Sequence, residues 1–277
     1  MPPPTHSARQ KLRGASVEKS PPSPQEIYDE IVHQLHTLDD FKEWVYEGIE
    51  PDDGDLICHS LLSTGEVESK RAFINFNSVT KALWVRAFNP LAVQTQWMQD
   101  ALWQTDLLSE KMWDRCLIYV GRGTTHHGFS GPYLKSCKRP DGHITVNSDS
   151  PLVVEGGWEN AWPRIQADKD LWIYGTTSTH IVILLKWSKT ADDKVQGVAE
   201  VWRRLEGKAV LDDELVIFPE PVPTPDPARD RIGFTQGLIL GSMILEDQDP
   251  DVVIYLEMAK LRKIARKRLE RQRLTIA

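Results

Sequence analysis

The chain is poor in cysteine. Three occur in 277 residues, namely Cys58, Cys116 and Cys137, with no CxxC pair among them. That odd, scattered set argues against a structural zinc site and for a reducing compartment. Long apolar runs are also missing: none reaches the roughly 18 residues that a membrane helix needs. The first 24 residues are rich in Pro and Ser and hold no apolar stretch, which speaks against a secretory signal and predicts a disordered tail over 1–24. These absences predict an intracellular protein, nuclear or cytoplasmic, with no membrane partner. A surplus of positive charge is lacking too. With 33 Lys and Arg against 40 Asp and Glu, the net charge is -7, so the molecule as a whole is not a generic polyanion binder. There is no internal repeat.

What is present suits a folded α/β protein. Apolar residues make up 40% of the chain, enough for a sizeable core in one large domain or one domain with appendages. Residues 25–47 have helical spacing, through Ile27, Ile31, Leu35 and Leu38 to Phe41, Trp44 and Val45. Residues 51–72 are acidic and polar and read as a loop or peripheral extension. Two short runs, Ala72 to Phe76 and Leu83 to Phe88, read as strands about an Asn77-Ser78 turn. The longest helix is expected over 91–113, introduced by Asn89-Pro90.

Strands follow at Cys116 to Val120, His143 to Val146 and Leu152 to Glu155, then a helix from Pro163 to Tyr174. The continuous run Ile181 to Trp187 suits a strand covered on both faces. Val198 to Leu205 reads as an edge strand. Five prolines crowd 218–231 and mark a linker. Ile232 to Leu245 suggests a strand pair, and the chain from Val252 reads as a helix. The expected fold class is α/β, with a mixed central sheet flanked by helices. Ten tryptophans stand out. Trp97, Trp103, Trp172, Trp187 and Trp202 fall in periodic apolar segments and are expected in the core, with a stacking platform for bases as the minor alternative.

The segment from Lys138 to Lys169 carries the chemistry. Asn147, Ser148 and Asp149 are turn residues between two strand-like runs. A hairpin folded about Ser148 places Asp141 directly across from Glu155, with Cα atoms roughly 4.5–5.5 Å apart. Like charges so placed repel, and a divalent cation or a shared proton would offset the repulsion. Taken singly, Asp141 also suits a plain turn and Glu155 a solvated strand end. On the following helix Asp168 falls between Leu171 and Trp172 on the buried stripe, and Lys169 lies at its edge. A buried charge there needs a partner.

Pro140-Asp141, a turn, Val153-Val154-Glu155, a helix and a second apolar strand together resemble the PD-(D/E)XK nuclease-like superfamily. More narrowly, they resemble the restriction-endonuclease-like proteins widespread in fungi. The resemblance covers roughly residues 70–205, and the order and spacing of its short motifs carry it. It implies a restriction-endonuclease-like core over 70–217. A helical and loop extension over 25–69 would precede that core, and a Pro-rich linker, short strands and a basic helix over 218–277 would follow it.

By the resemblance, Pro140 and Asp141 match the PD and Glu155 the acidic residue. The E-x-K lysine is replaced by Gly157. Lys169 stands where some branches carry that lysine, about fourteen positions after the glutamate, and Asp168 matches a helix Asp of the fungal members. The His-Glu pair that opens the first helix in many members is not found over Leu91 to Gln96. The implied activity is hydrolysis of phosphodiester bonds in DNA or RNA. Asp141 and Glu155 would hold Mg²⁺ and Lys169 would orient the nucleophile or stabilise developing charge. The glycine-bounded loop before the PD carries Arg122, an additional site candidate, and His126 and His127, whose rings would contact phosphate.

The C-terminal helix carries Lys260, Arg262, Lys263, Arg266, Lys267, Arg268, Arg271 and Arg273 against Glu270. It is the candidate for nucleic-acid contact and a weak nuclear-targeting signal. The plainer alternative is a solvated face over Ile254, Leu261, Ile264 and Leu269. Two functions therefore stand: a metal-dependent nuclease, favoured by the opposed carboxylates and Lys169, or a non-catalytic nucleic-acid- or protein-binding module, favoured by Gly157. An accessory protein unrelated to nucleic acid is a third.

Overall fold

The computed structural model describes residues 22–38, 42–87, 93–110, 112, 117–122 and 125–277. Most of the expected disordered tail, Phe41, Asn89-Pro90, Leu91 and Cys116 lie outside the described residues.

Helix α1 (Pro24–His36) opens on a capping box in which Ser23 and Glu26 bond each other's backbone N–H, and it buries Ile27, Ile31 and Leu35. The expected helix through Val45 does not continue. Trp44 and Val45 lie in strand β1 (Lys42–Tyr46), where aromatic and β-branched residues favour an extended, half-buried strand. The acidic segment expected as a loop forms α2 (Pro51–Leu62) and α3 (Gly65–Ser69). Pro51 opens α2 and Asp52 and Asp53 occupy its first turn, where their charge complements the helix dipole. β2 (Phe73–Asn77) and β3 (Ala82–Ala87) form as expected and join β1 in an antiparallel sheet of order β1-β3-β2.

Helix α4 (Gln94–Leu102) spans nine residues, well short of the expected 91–113. It ends at Trp103, which is 69% exposed, so that tryptophan is not core; Trp97, Trp172 and Trp187 are buried. There follow β4 (Ile118–Gly121), β5 (Gly142–Val146), β6 (Asp149–Trp158), α5 (Trp162–Gly175), β7 (Ile181–Lys189), β8 (Val195–Leu205) and β9 (Lys208–Phe218). The six strands form one mixed sheet in sequence order. Only β6 and β7 are parallel, and α5 makes the crossover between them. β8 is not the expected edge strand, because β9 pairs outside it over Leu205 to Gly197.

The expected strand pair at 232–245 is half right. β10 (Arg231–Thr235) leads into α6 (Gln236–Leu240) and pairs instead with β11 (Val253–Glu257), which precedes α7 (Met258–Arg271). The expected helix from Val252 thus begins at Met258.

The molecule is a mixed α/β protein with a central six-stranded mixed sheet flanked by helices. Strand alternation divides its core. Val154, Ile183 and Leu185 face α4, α7 and the β10–β11 ribbon. Val153, Val182 and Leu184 face Ile165, Leu171 and Trp172 of α5. A separate cluster unites α1, α2 and the small sheet through Ile31, Leu35, Leu61, Phe76 and Leu83.

Candidate carboxylate site

The β5–β6 ladder pairs Gly142 with Val154 and His143 with Val153. One step further, this register sets Asp141 against Glu155, as the turn residues predicted. The turn is tighter than expected: Asn147, at φ 57°, and Ser148 make it, and Asp149 already belongs to β6. The ladder slips between Ile144 and Val146, which leaves the carboxylate end in register. Asp141 and Glu155 are 1% and 0% exposed, so neither is a solvated turn or strand-end residue.

Their partners are cations of the chain itself. Both oxygens of Asp141 are held by the Arg86 guanidinium, and Oδ2 also accepts the Gly156 N–H at 2.9 Å. Glu155 Oε1 accepts the Trp172 indole N–H at 2.9 Å. The Lys138 ammonium lies 3.2 Å from Glu155 Oε2 and 2.7 Å from Asp168 Oδ2. The contact with Glu155 is an ion pair without hydrogen-bond alignment, and Oε2 accepts no hydrogen bond. Arg164, one turn before Asp168 on α5, adds a 3.3 Å bond to Asp168 Oδ2. Its Nε lies 3.4 Å from Glu43 of β1.

These surroundings pull the two opposed acids apart. Burial pushes the Asp141 carboxyl up, but Arg86, Lys138 and Arg164 outweigh it and hold the group below its ordinary value. Burial raises the Glu155 carboxyl to about 7; the Asp168 and Asp141 carboxylates add to the rise, while Lys138 and the Trp172 N–H oppose it. Lys138 approaches Asp168 more closely than Glu155.

Asp168 therefore joins the cluster and Lys169 does not. Lys169 is buried, but its ammonium sits 3.9 Å from the centre of the Trp202 ring and 3.0 Å from Asp170. One residue along a helix is a turn of about 100°, and that step sends it towards β8. Arg122 lies at the site's rim, where it feels the charge of Asp141. The main chain of His126 bonds that of Lys138 in both directions, and its ring packs against Phe129 and Trp172. His127 stacks on His59. The two histidines thus make structural contacts beside the site. Gln94 opens α4 against the strand backbone here: a Cβ added at Gly142 would meet its Cβ, and one at Gly156 its Nε2.

Sequence reasoning missed Lys138, Arg86 and Arg164. Arg86 alone left a signal, a single charge inside the apolar run of β3. Lys138 sits in a polar stretch and nothing local marks it.

The arrangement does not fit a divalent cation. Arg86 pairs with Asp141, Lys138 and Arg164 pair with Asp168, and Lys138 also stands against Glu155 Oε2, so a cation of the chain already lies beside each carboxylate. Among the described residues no group of three His, Cys, Asp or Glu side chains is placed to hold a metal ion. The cavity beside Lys138, Arg164 and Asp168 measures about 10 Å³, room for a single water at most. The small sheet closes this side of the cluster with Arg86, Trp84 and Asn75. No family model, curated protein or solved structure matches the chain. Among the described residues no helix is long and apolar enough to cross a membrane.

Proposed function

We propose that this chain is a non-cleaving nucleic-acid-binding protein, built on a PD-(D/E)XK-like core in which internal cations stand where a nuclease would hold its metal. The observation that carries the reading is Lys138, whose buried ammonium lies between Glu155 and Asp168. The element order supports the nuclease-like ancestry: a helix, three antiparallel strands, a helix and a parallel strand, with Asp141 and Glu155 in the positions of the resemblance. The binding half of the proposal rests on α7. Between α4 and α7 lies a cavity of about 360 Å³ whose wall carries Lys260, Lys263, Lys267, Arg268 and Arg271, with Asp100 opposing them. A concave surface with that excess of cations suits a phosphate backbone.

The second reading is the metal-dependent nuclease. The register that opposes Asp141 and Glu155, and the poise of Glu155 near neutral pH, favour it. It requires Arg86 and Lys138 to withdraw from the carboxylates.

Calorimetric titration with Mg²⁺ and Mn²⁺ separates the two. The wild type is expected to take up neither ion, while binding labelled duplex DNA without cutting it. Metal uptake that disappears in both Asp141→Ala and Glu155→Ala would replace the first reading with the second. Absence of any duplex binding would remove the nucleic-acid reading altogether.

A further inference from the structure

A second cluster of positive charge lies beside Asp141. Three arginines from three separate segments surround the ring of Phe73: Arg86 of β3 at 4.9 Å, Arg139 of the loop before Asp141 at 4.8 Å, and Arg122 just after β4 at 5.9 Å. Phe73 is buried beneath them. Flat guanidinium groups stack well on an aromatic face, which holds the groups in fixed orientations. Arg86 is committed to Asp141. Arg122 and Arg139 are half-buried and, among the described residues, form no ion pair. The buried Nε of Arg139 has no hydrogen-bond partner.

Gathering like charges in a partly dry place costs stability unless an anion completes the set. Burial lowers the pKa of both Arg122 and Arg139, and for Arg122 the nearby Arg86, Arg139 and Arg268 lower it further. Asp141 is the carboxylate that opposes this at Arg122, and Arg86 already holds its oxygens. Two guanidinium groups over one ring, with no ion-pair partner among the described residues, match a tetrahedral oxyanion, whose oxygens accept paired hydrogen bonds.

We propose that Arg122 and Arg139, held over Phe73, form a binding subsite for a single phosphate group. The Arg139 backbone N–H bonds Asn75 Oδ1 at 2.8 Å, so its main chain is tied to the small sheet rather than left on a free loop. The subsite does not depend on the polymer reading, because a lone phosphate satisfies it. If a nucleic acid does lie along α7, Arg268 links the two places: it lines that groove and its charge is felt at Arg122.

The test uses the full chain with inorganic phosphate as the probe. Thermal melting in phosphate is compared with melting in chloride at matched ionic strength. Binding is measured by calorimetry for the wild type, Arg122→Gln/Arg139→Gln, and Arg122→Lys/Arg139→Lys. The lysine variant keeps the charge, folds under the same electrostatic load and loses the fork. Phosphate is expected to raise the melting temperature of the wild type above the chloride control. Affinity should fall about tenfold or more in both variants, the loss expected when charge-assisted hydrogen bonds go. Equal melting in the two salts, or undiminished phosphate affinity in the variants, overturns the subsite. A labelled duplex run on the same proteins identifies the source of the phosphate. Duplex affinity reduced in the arginine variants makes it a backbone phosphate; duplex affinity unchanged, with inorganic phosphate no longer bound, makes it a free phosphate or phosphomonoester. A duplex that the wild type does not bind overturns the proposed function and leaves the subsite standing on the phosphate data.

Discussion

Glu155 shows how one residue sets a property of the whole fold. Its carboxyl titrates near 4.5 in an unfolded chain and at about 7 in the folded one. Between those values the folded protein keeps a proton that the unfolded chain has released. Stability from this group is therefore full below about 4.5, falls as pH rises towards about 7, and is flat above. The span corresponds to a loss on the order of 3 kcal/mol. Glu155→Gln should remove that slope, so denaturant unfolding measured from about pH 4.5 to about pH 8 should show wild type and variant converging at the acid end and separating above it. A wild-type profile with no such fall would mean that Lys138 keeps the carboxylate ionised throughout. Asp141 works in the opposite sense. Its depressed pKa gives stability that is present at neutral pH and lost on acidification below the ordinary carboxylate range.

The packing of one element on another depends on places where a side chain is missing. A Cβ on Gly142 would lie 2.8 Å from Gln94 Cβ and 2.7 Å from Met98 Cε. The methionine tip can move, but Gln94 Cβ is fixed to the helix, so Gly142→Ala must push α4 off β5. A cost of about 1–3 kcal/mol is expected from such overpacking, read as a lowered urea midpoint with an unchanged slope; an unaltered midpoint would show that α4 is not seated there.

At this same scale the sequence was legible where signals are local. The alternation of β5 and β6 and the Asn147-Ser148 turn sufficed to place Asp141 opposite Glu155. The apolar run of β7 was equally plain. Helix α2 was not, because its acidic, proline-led start looks like a loop unless Ile57, Cys58 and Leu61 are weighed as a buried stripe. Lys169 illustrates the limit at the site. Periodicity correctly put it on the buried side, but only the tertiary fold shows that Trp202 receives it. Lys138 was beyond reach for the same reason: it meets Glu155 across the sheet and Asp168 on α5, the latter 30 positions away. Arg86 meets Asp141 across 55 positions.

For the whole molecule, net charge misleads. The chain is acidic overall at -7, yet five cations of α7 line one groove. Association through that groove should follow local rather than total charge. Replacing Lys263, Lys267 and Arg271 by glutamine is expected to weaken duplex binding whatever its sequence. It should also flatten the dependence of log affinity on log salt by about 0.9 for each phosphate that is no longer neutralised. Anisotropy titrations from about 50 to about 200 mM salt would read this directly. A slope unchanged by the triple substitution would assign α7 to packing alone, with Leu261, Ile264 and Leu269 as its purpose.

The internal pairing of Lys138 and Arg86 with the three acids has a consequence for how the protein lives in a cell. A fold whose carboxylates wait for magnesium matures only as fast as the ion arrives, and loosens when a chelator removes it. This chain carries its counterions in its own sequence. On the proposed reading its melting temperature should be the same with and without a chelator of divalent ions.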